Sequence, residues 1–129
     1  MKHLLDVNVL VALAYAAHPN HDHAEAWRAS LPSGAQLATS SITEIGFVRV
    51  SLNARLSSGV AESRSLLAAI LAHGRFTRLV DDLGADTLPA YVKTAGETTD
   101  GHLLALARHH GAQLATFDTG IPGAALIRV

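Results

Sequence analysis

The chain has 129 residues, of which 49% are hydrophobic and 16% charged, with a net charge of −1 and no cysteine. This length suits one domain over residues 1–129, and the composition excludes global disorder, disulfides and thiolate metal sites. No apolar run approaches the roughly 20 residues of a membrane span, and the N-terminal residues lack a signal-peptide layout. We therefore expect a cytoplasmic protein that is not a generally basic nucleic-acid binder.

Short apolar segments typical of strands alternate along the chain with longer segments typical of helices. In the first half of the chain, we predict a strand over His3–Asp6, a helix from Val9 to about Ala17 capped by Asn8, a helix over His21–Leu31, a strand over Gln36–Thr39, and a helix from the capping box Ser41–Glu44 to about Leu56. A helix over Val60–Ala72, a strand over Arg78–Asp81 and a short helix over Thr87–Thr94 follow. The last elements are a helix from the Thr98-Thr99 cap to His110 and strands over Gln113–Phe117 and Ala125–Val129. This alternation indicates an α/β protein in which helices cover both faces of a parallel sheet.

Four acidic residues fall where the predicted strands end or where the following helices begin. Asp6 ends the first strand and Asp118 follows the fourth. Glu44 and Asp100 lie in the first turns of helices. Because the carboxyl ends of parallel strands share one edge of the sheet, these four carboxylates are expected to converge there.

Two of these acids stand on the apolar faces of their helices. Hydrophobic residues follow Glu44 at i+3, i+4 and i+8, and follow Asp100 at i+3, i+4 and i+7. Burying lone carboxylates is costly, and no Lys or Arg is obviously placed to neutralise four of them, so we expect Mg²⁺ or Mn²⁺ to do so. Ordinary structural roles stay open: helix capping for Glu44, the helix dipole for Asp100 and a turn for Asp118.

The segment from residue 49 to residue 78 has features of an interaction surface. It contains five arginines and one acid, which fits either a solvated helix face or a strip that binds RNA phosphates or an acidic partner. The candidates for such binding are Arg49, Arg55 and Arg64. Within the same segment, Leu66–Leu71 is apolar on all sides of a helix, which indicates either deep burial or a subunit interface.

Four segments resemble, in order and spacing, the motifs of PIN-domain ribonucleases over nearly the whole chain. They are Leu4–Leu10, Ser41–Glu44, Thr99–Ala105 and Ala115–Asp118. The chain is similar in particular to the toxins of bacterial VapBC toxin–antitoxin pairs. This resemblance implies a three-layer α/β/α fold with strand order 3-2-1-4-5 and Mg²⁺-dependent endonucleolytic cleavage of RNA. It also implies a cognate antitoxin, and a homodimer that forms a heterotetramer or a larger assembly with it.

The resemblance also implies roles for individual residues. The family's catalytic acidic quartet is matched by Asp6, Glu44, Asp100 and Asp118. Asp6, Asp100 and Asp118 would bind the metal, whereas Glu44 would be either a ligand or the base that orients the attacking water. Asn8 matches the polar residue that supports the first Asp, and Thr116 matches the hydroxyl before the last acid. No further acid follows Asp118, so the number of metal ions stays open.

Other functions stay open or fit less well. A housekeeping PIN nuclease in RNA processing, or a PIN-like binding module without catalysis, would carry the same motifs. A phosphotransfer receiver domain needs a lysine after a late strand, which neither Lys2 nor Lys93 supplies, and a haloacid-dehalogenase-type phosphatase needs an acid at the position of Asn8. A zinc site is disfavoured because three histidines near a Pro-Asn turn lack regular ligand spacing: His18, His21 and His23.

Overall fold

Five parallel strands form one sheet in the computed structural model, which describes all residues from 1 to 129. The strands are β1 (Lys2–Leu5), β2 (Gln36–Thr39), β3 (Thr77–Arg78), β4 (Gln113–Thr116) and β5 (Ala125–Leu126). Their spatial order is β3-β2-β1-β4-β5, so the predicted parallel sheet and the strand order 3-2-1-4-5 are confirmed. The central strand β1 pairs with β2 on one side and with β4 on the other.

Five helices connect these strands. They are α1 (Val7–Ala14), α2 (His21–Ser30), α3 (Ser41–Asn53), α4 (Val60–His73) and α5 (Thr98–His109), with short 3₁₀ turns at Ala85–Thr87 and Ala95–Glu97. None of them combines the length and the apolarity that crossing a bilayer would require.

The core lies on both faces of the sheet, as the alternating direction of side chains along a strand dictates. Leu5 packs on one face with residues of α1 and α3 such as Val9 and Phe47. Its neighbour Leu4 packs on the other face with residues of α5 such as Leu103. All five side chains are fully buried, so the sheet is held between two helical layers and the three-layer prediction is confirmed.

Three helix starts differ from the prediction. Helix α5 begins at Thr98, after Glu97, instead of being capped by Thr98-Thr99, and the other two differences affect acidic residues. Asp6 rather than Asn8 caps α1, because its carboxylate directly follows β1 and accepts the Val7 N–H at 2.8 Å. Helix α3 is capped by Ser40, whose box partner is the Thr43 hydroxyl. The predicted capping box, Ser41 with Glu44, is therefore wrong: the box lies one residue earlier, and the Glu44 carboxylate is free for other contacts.

The segment between β3 and α5 also differs from the prediction. Strand β3 has only two residues, and no helix forms over Thr87–Thr94. Pro89 lies in the middle of this segment, where it lacks an amide hydrogen and disfavours continuous helix. The segment instead packs against the first turn of α5, where a Cβ atom added to Gly101 would lie 2.3 Å from Cγ2 of Val92.

The apolar run Leu66–Leu71 on α4 is only partly buried. Leu67 is 7% exposed, whereas Ala68 and Ala69 are exposed and the three remaining residues are half-buried. Deep burial of the whole run is thus excluded. Residues of this helix instead line a groove against α3.

Candidate active site

Three of the four predicted acids line one polar cavity of about 220 Å³ at the carboxyl ends of β1 and β4. Asp6 follows β1, Asp118 follows β4, and Asp100 lies in the first turn of α5. The cavity is completed by Val7, Asn8, Arg49, Val50, Thr99, Thr116 and Phe117. The rule that strand ends share one edge of a parallel sheet therefore located this cavity from the sequence.

Asp6 is fixed by hydrogen bonds to both of its carboxylate oxygens. Oδ1 accepts the Val7 N–H, and Oδ2 accepts the Thr116 hydroxyl at 2.7 Å. The residue is 8% exposed, and burial raises the pKa of this carboxyl although the two hydrogen bonds favour its charged form. The Asp6 carboxylate is therefore well oriented but poorly solvated.

Thr116, which the resemblance places in a supporting role, connects two of the acids. Its hydroxyl donates to Asp6 and accepts the backbone N–H of Asp118 at 3.0 Å. The Asp118 carboxylate in turn accepts the Gly120 N–H at 2.7 Å. Thr116 is fully buried, so it holds the loop after β4 against the carboxylate that follows β1.

Asp100 is the acid whose protonation is most affected by its surroundings. Burial, followed by the negative charges of Asp6 and Asp118, raises its pKa to about 6. A shift of this kind arises when like charges share a poorly solvated site. The cavity therefore favours either a proton or a cation among its carboxylates.

Glu44 lies at the same edge of the sheet but outside this cavity. Arg78 binds it in a bidentate manner, with Nε 2.9 Å from Oε2 and Nη2 2.7 Å from Oε1, and the Thr39 hydroxyl donates to Oε2 at 2.7 Å. The Arg78 hydrogen bond is the main cause of a lowered pKa for Glu44. The expectation that no arginine neutralises these acids is thus wrong for Glu44.

The helical period explains why Glu44 is separated from the other acids. Gly46 of α3 faces α1, since a Cβ atom added to it would lie 2.6 Å from Cγ2 of Val7. Glu44 is two positions earlier, about 200° around the helix. It therefore lines a different, largely apolar groove of about 420 Å³ between α3 and α4, together with Ile45, Val48, Arg64, Leu67, Ala68, Leu71 and Arg78.

The remaining candidate residues are distributed over three places. Asn8 and Arg49 line the acidic cavity, whereas Arg64 lines the groove between α3 and α4. Arg55 follows α3 with a left-handed backbone, at φ 57°, and lines neither. The basic segment of the sequence is therefore not one continuous strip around the acids.

Two of the histidines near the Pro-Asn turn are engaged in hydrogen bonds with the backbone. The His18 ring accepts the Asn20 N–H at 3.0 Å, and the His21 ring bonds to the Ala12 carbonyl at 2.7 Å. No three His, Asp or Glu side chains anywhere in the chain are placed closely enough to hold a metal ion as a ready-made cluster.

Sequence reasoning did not assign Arg78 to the site. Its signal lies in the strand register, because Thr39 and Arg78 are paired residues at the ends of β2 and β3. Tyr91 was also missed: its hydroxyl is buried without a hydrogen-bond partner. This hydroxyl lies against the first turn of α5, where a Cβ atom added to Gly101 would be 3.7 Å from it. Burial, followed by the charge of Asp100, raises the Tyr91 pKa.

The raised pKa of Asp100 predicts how the stability of the protein in EDTA depends on pH. Asp100 binds a proton more strongly in the folded state, with a pKa of about 6 against 3.8 for the unperturbed group. Stability should therefore fall as pH rises from about 4 to about 6, by roughly 1–2 kcal/mol once solvent screening is allowed for. Thermal melts across this range will measure the effect.

The matched control for these melts is Asp100→Asn, which cannot titrate at this position. The difference between the wild-type and variant curves isolates Asp100 from other acids such as Glu44, whose lowered pKa has the opposite effect. Parallel curves would contradict the prediction. Saturating Mg²⁺ should offset the loss of stability that the wild type shows between about pH 4 and about pH 6, because the cation takes the place of the proton.

Comparisons with known proteins identify the family of this chain. The profile of the family described as "PIN domain" matches residues 3–125. Ribonuclease VapC38 of Mycobacterium tuberculosis (strain ATCC 25618 / H37Rv) is 42% identical over 125 residues, which cover 92% of this chain and 86% of that protein. In the crystal structure of M. tuberculosis VapC20, described as a sarcin-ricin loop cleaving toxin, the fold is similar with a TM-score of 0.67 and 18% identity, over 98% of both chains. A toxin-antitoxin complex from Klebsiella pneumoniae gives a TM-score of 0.64 at 21% identity, also over 98% of both chains. The chain therefore belongs to the family of VapC-type PIN-domain ribonucleases.

Proposed function

We propose that the protein is a Mg²⁺-dependent endoribonuclease and the toxin of a type II toxin–antitoxin pair. The observation that carries the proposal is the shared cavity of Asp6, Asp100 and Asp118, in which burial and mutual repulsion raise the pKa of Asp100 to about 6. Relatives named as ribonucleases support RNA as the substrate. Three carboxylates that repel one another in a polar cavity are a suitable ligand set for a hard divalent cation.

The donor set of the cavity fits Mg²⁺, with Mn²⁺ as an alternative. Mg²⁺ in proteins commonly keeps several waters and takes one or two carboxylates, which agrees with three aspartates that do not form a closed cluster. Asp6 and Asp100 would hold the ion directly or through water, and Asp118 would complete the site. When bound, the ion supplies a more acidic water and neutralises charge on the phosphate.

The protein's own residues orient the carboxylates of this cavity and adjust their charge. Thr116 holds the Asp6 carboxylate and the Asp118 backbone in a fixed relation. Asp100, with a pKa of about 6, is able to hold a proton or release it near neutral pH. Glu44 is bound by Arg78 and Thr39 outside the cavity, so we assign it to holding Arg78 rather than to activating water.

We further propose an antitoxin protein as partner, and a homodimer as the unit that binds it. Support for the antitoxin comes from the similar fold of a subunit in a toxin-antitoxin complex. Support for an interface comes from the apolar side chains that α3 and α4 leave open, including Ile45, which is 66% exposed. Exposed contiguous apolar surface is typical of protein interaction sites.

The proposed activity predicts cleavage of single-stranded RNA in Mg²⁺ and none in EDTA. Activity should return when either Mg²⁺ or Mn²⁺ is added in excess of the chelator. The measurement is gel analysis of a labelled RNA oligonucleotide, in parallel with calorimetric titration of the protein with Mn²⁺. Mn²⁺ binding without RNA cleavage would favour a non-catalytic binding module, and cleavage that is insensitive to EDTA would contradict the proposal.

A further inference from the structure

Arg49 is the one basic side chain that lines the cavity of the three aspartates. It is brought there by the face of α3 that contacts α1. Gly46 on that face approaches Val7 closely, and Arg49 and Val50 follow it at i+3 and i+4, which places them on the same side of the helix. The side chain therefore lies beside the acids although it comes from a different structural element.

Arg49 is unpaired although it lies beside acids, unlike Arg28 and Arg78. Arg28 binds Glu25 and Arg78 binds Glu44, each at 2.7 Å. Arg49 forms no ion pair or side-chain hydrogen bond with any of the three aspartates, although it lines their cavity and is exposed. All five of its N–H donors are therefore available to an incoming group.

The charge of the cavity indicates which chemical group the free Arg49 guanidinium would bind. A phosphodiester is an anion, and three carboxylates repel it even when one divalent cation partly neutralises them. An arginine guanidinium is planar, permanently charged and able to bind phosphate oxygens in a bidentate manner. A cation that remains free beside the acids is thus placed to bind a phosphate rather than to neutralise a carboxylate.

We infer that Arg49 binds a phosphate of the RNA strand next to the one that reacts, and so positions the strand over the acidic cavity. This inference rests on the proposed function. It separates Arg49 from the other candidates of the basic segment, because Arg64 lines the groove between α3 and α4 and Arg55 lines neither site. Arg49 is in this sense a positioning residue, and its removal should act on substrate binding.

The test measures RNA binding in an Asp6→Asn background, in which cleavage is not expected to interfere. Arg49→Ala should weaken binding of a labelled single-stranded RNA by roughly 10- to 100-fold and reduce the salt dependence of binding by about one phosphate contact. Arg49→Lys keeps the charge but not the planar guanidinium, so its affinity for RNA should lie between those of the arginine and alanine forms. In the active background, KM should rise while kcat changes little.

Arg28→Ala is the matched control. It removes one positive charge from an exposed, ion-paired arginine that lines a different cavity, near the start of β2, so RNA affinity should be unchanged. Replacing phosphates one at a time with neutral methylphosphonates should identify one position at which Arg49→Ala has no additional effect. Mn²⁺ affinity of Arg49→Ala should equal or exceed that of the wild type, which a collapsed cavity would not show.

The possible failures are distinguishable. If the wild type neither cleaves nor binds RNA, the proposed function fails and this inference fails with it. If the wild type cleaves RNA and Arg49→Ala binds it as tightly as Arg28→Ala does, this inference alone is overturned. If Arg49→Ala keeps its RNA affinity but loses affinity for a purified acidic protein partner, Arg49 belongs to a protein interface and the inference is overturned.

Discussion

Replacing Asp6 with asparagine is expected to lower RNA cleavage by at least about 10²- to 10³-fold, the loss typical when one preorganised electrostatic contact to a developing charge is removed. Asparagine has no negative charge with which to attract a divalent cation, and one of its two oxygen donors is replaced by an amide. Asp6 is also the most buried of the three aspartates that line the cavity. Initial rates with a labelled RNA oligonucleotide in Mg²⁺ will measure the loss, and Mn²⁺ titration will show weaker binding.

The fold should survive this substitution. The asparagine carbonyl can still accept the Val7 N–H, and its amide can donate to the Thr116 hydroxyl, which has a second lone pair besides the one facing Asp118. Burial raises the pKa of Asp6, which means that a charged side chain is unfavourable at this position. In EDTA, the Asp6→Asn variant should therefore have the same melting temperature as the wild type or a higher one. Full cleavage activity in a folded Asp6→Asn preparation would refute the proposed role.

A large loss of stability and activity is also expected from Gly101→Ala, since Gly101 follows Asp100 in the first turn of α5. The added Cβ atom would lie 2.3 Å from Cγ2 of Val92 and 3.5 Å from Cδ of Pro89. The gain of about 1 kcal/mol from helix propensity is smaller than the cost of overpacking at such a distance, so a net loss of roughly 1–2 kcal/mol is expected. Displacement of the first turn of α5 would also move Asp100, which should reduce kcat/KM by roughly 10²-fold.

A double-variant cycle makes this prediction specific. Val92→Ala removes the atom that the new Cβ would meet, so combining it with Gly101→Ala should recover part of the stability and of the activity. Gly96→Ala is the control, since a Cβ atom there has no neighbour closer than 4.0 Å, and its melting temperature should be unchanged or slightly higher. Additive losses in the double variant would show that Val92 is not the reason for the glycine.

The sequence predicted the part of the site that depends on strand ends. Asp6 directly follows β1 and Asp118 is the second residue after β4, and these two strands are neighbours in the sheet. Their meeting follows from the rule for parallel sheets together with the strand order. Asp100 was located by the start of a helix, which lies at the same edge.

The environment of Glu44 was beyond sequence reasoning for two physical reasons. The adjacent Ser40 and Ser41 offer two phases for the capping of α3, and a change of one residue moves Glu44 out of the capping box. Its partner Arg78 lies on a two-residue strand whose pairing with Thr39 is set by tertiary packing. Neither choice leaves a periodic signal in the sequence.

The brevity of the outer strands has a consequence for how copies of this protein would assemble. β3 and β5 are the two edges of the sheet, and each has two residues. Such short edges offer few free backbone groups for continuing a sheet into a neighbouring molecule, and short edge strands are a known protection against that mode of association. Self-association of this chain should therefore proceed through helical faces. The carboxyl ends of β1 and β4, where the three aspartates lie, should then stay open to a nucleic acid strand.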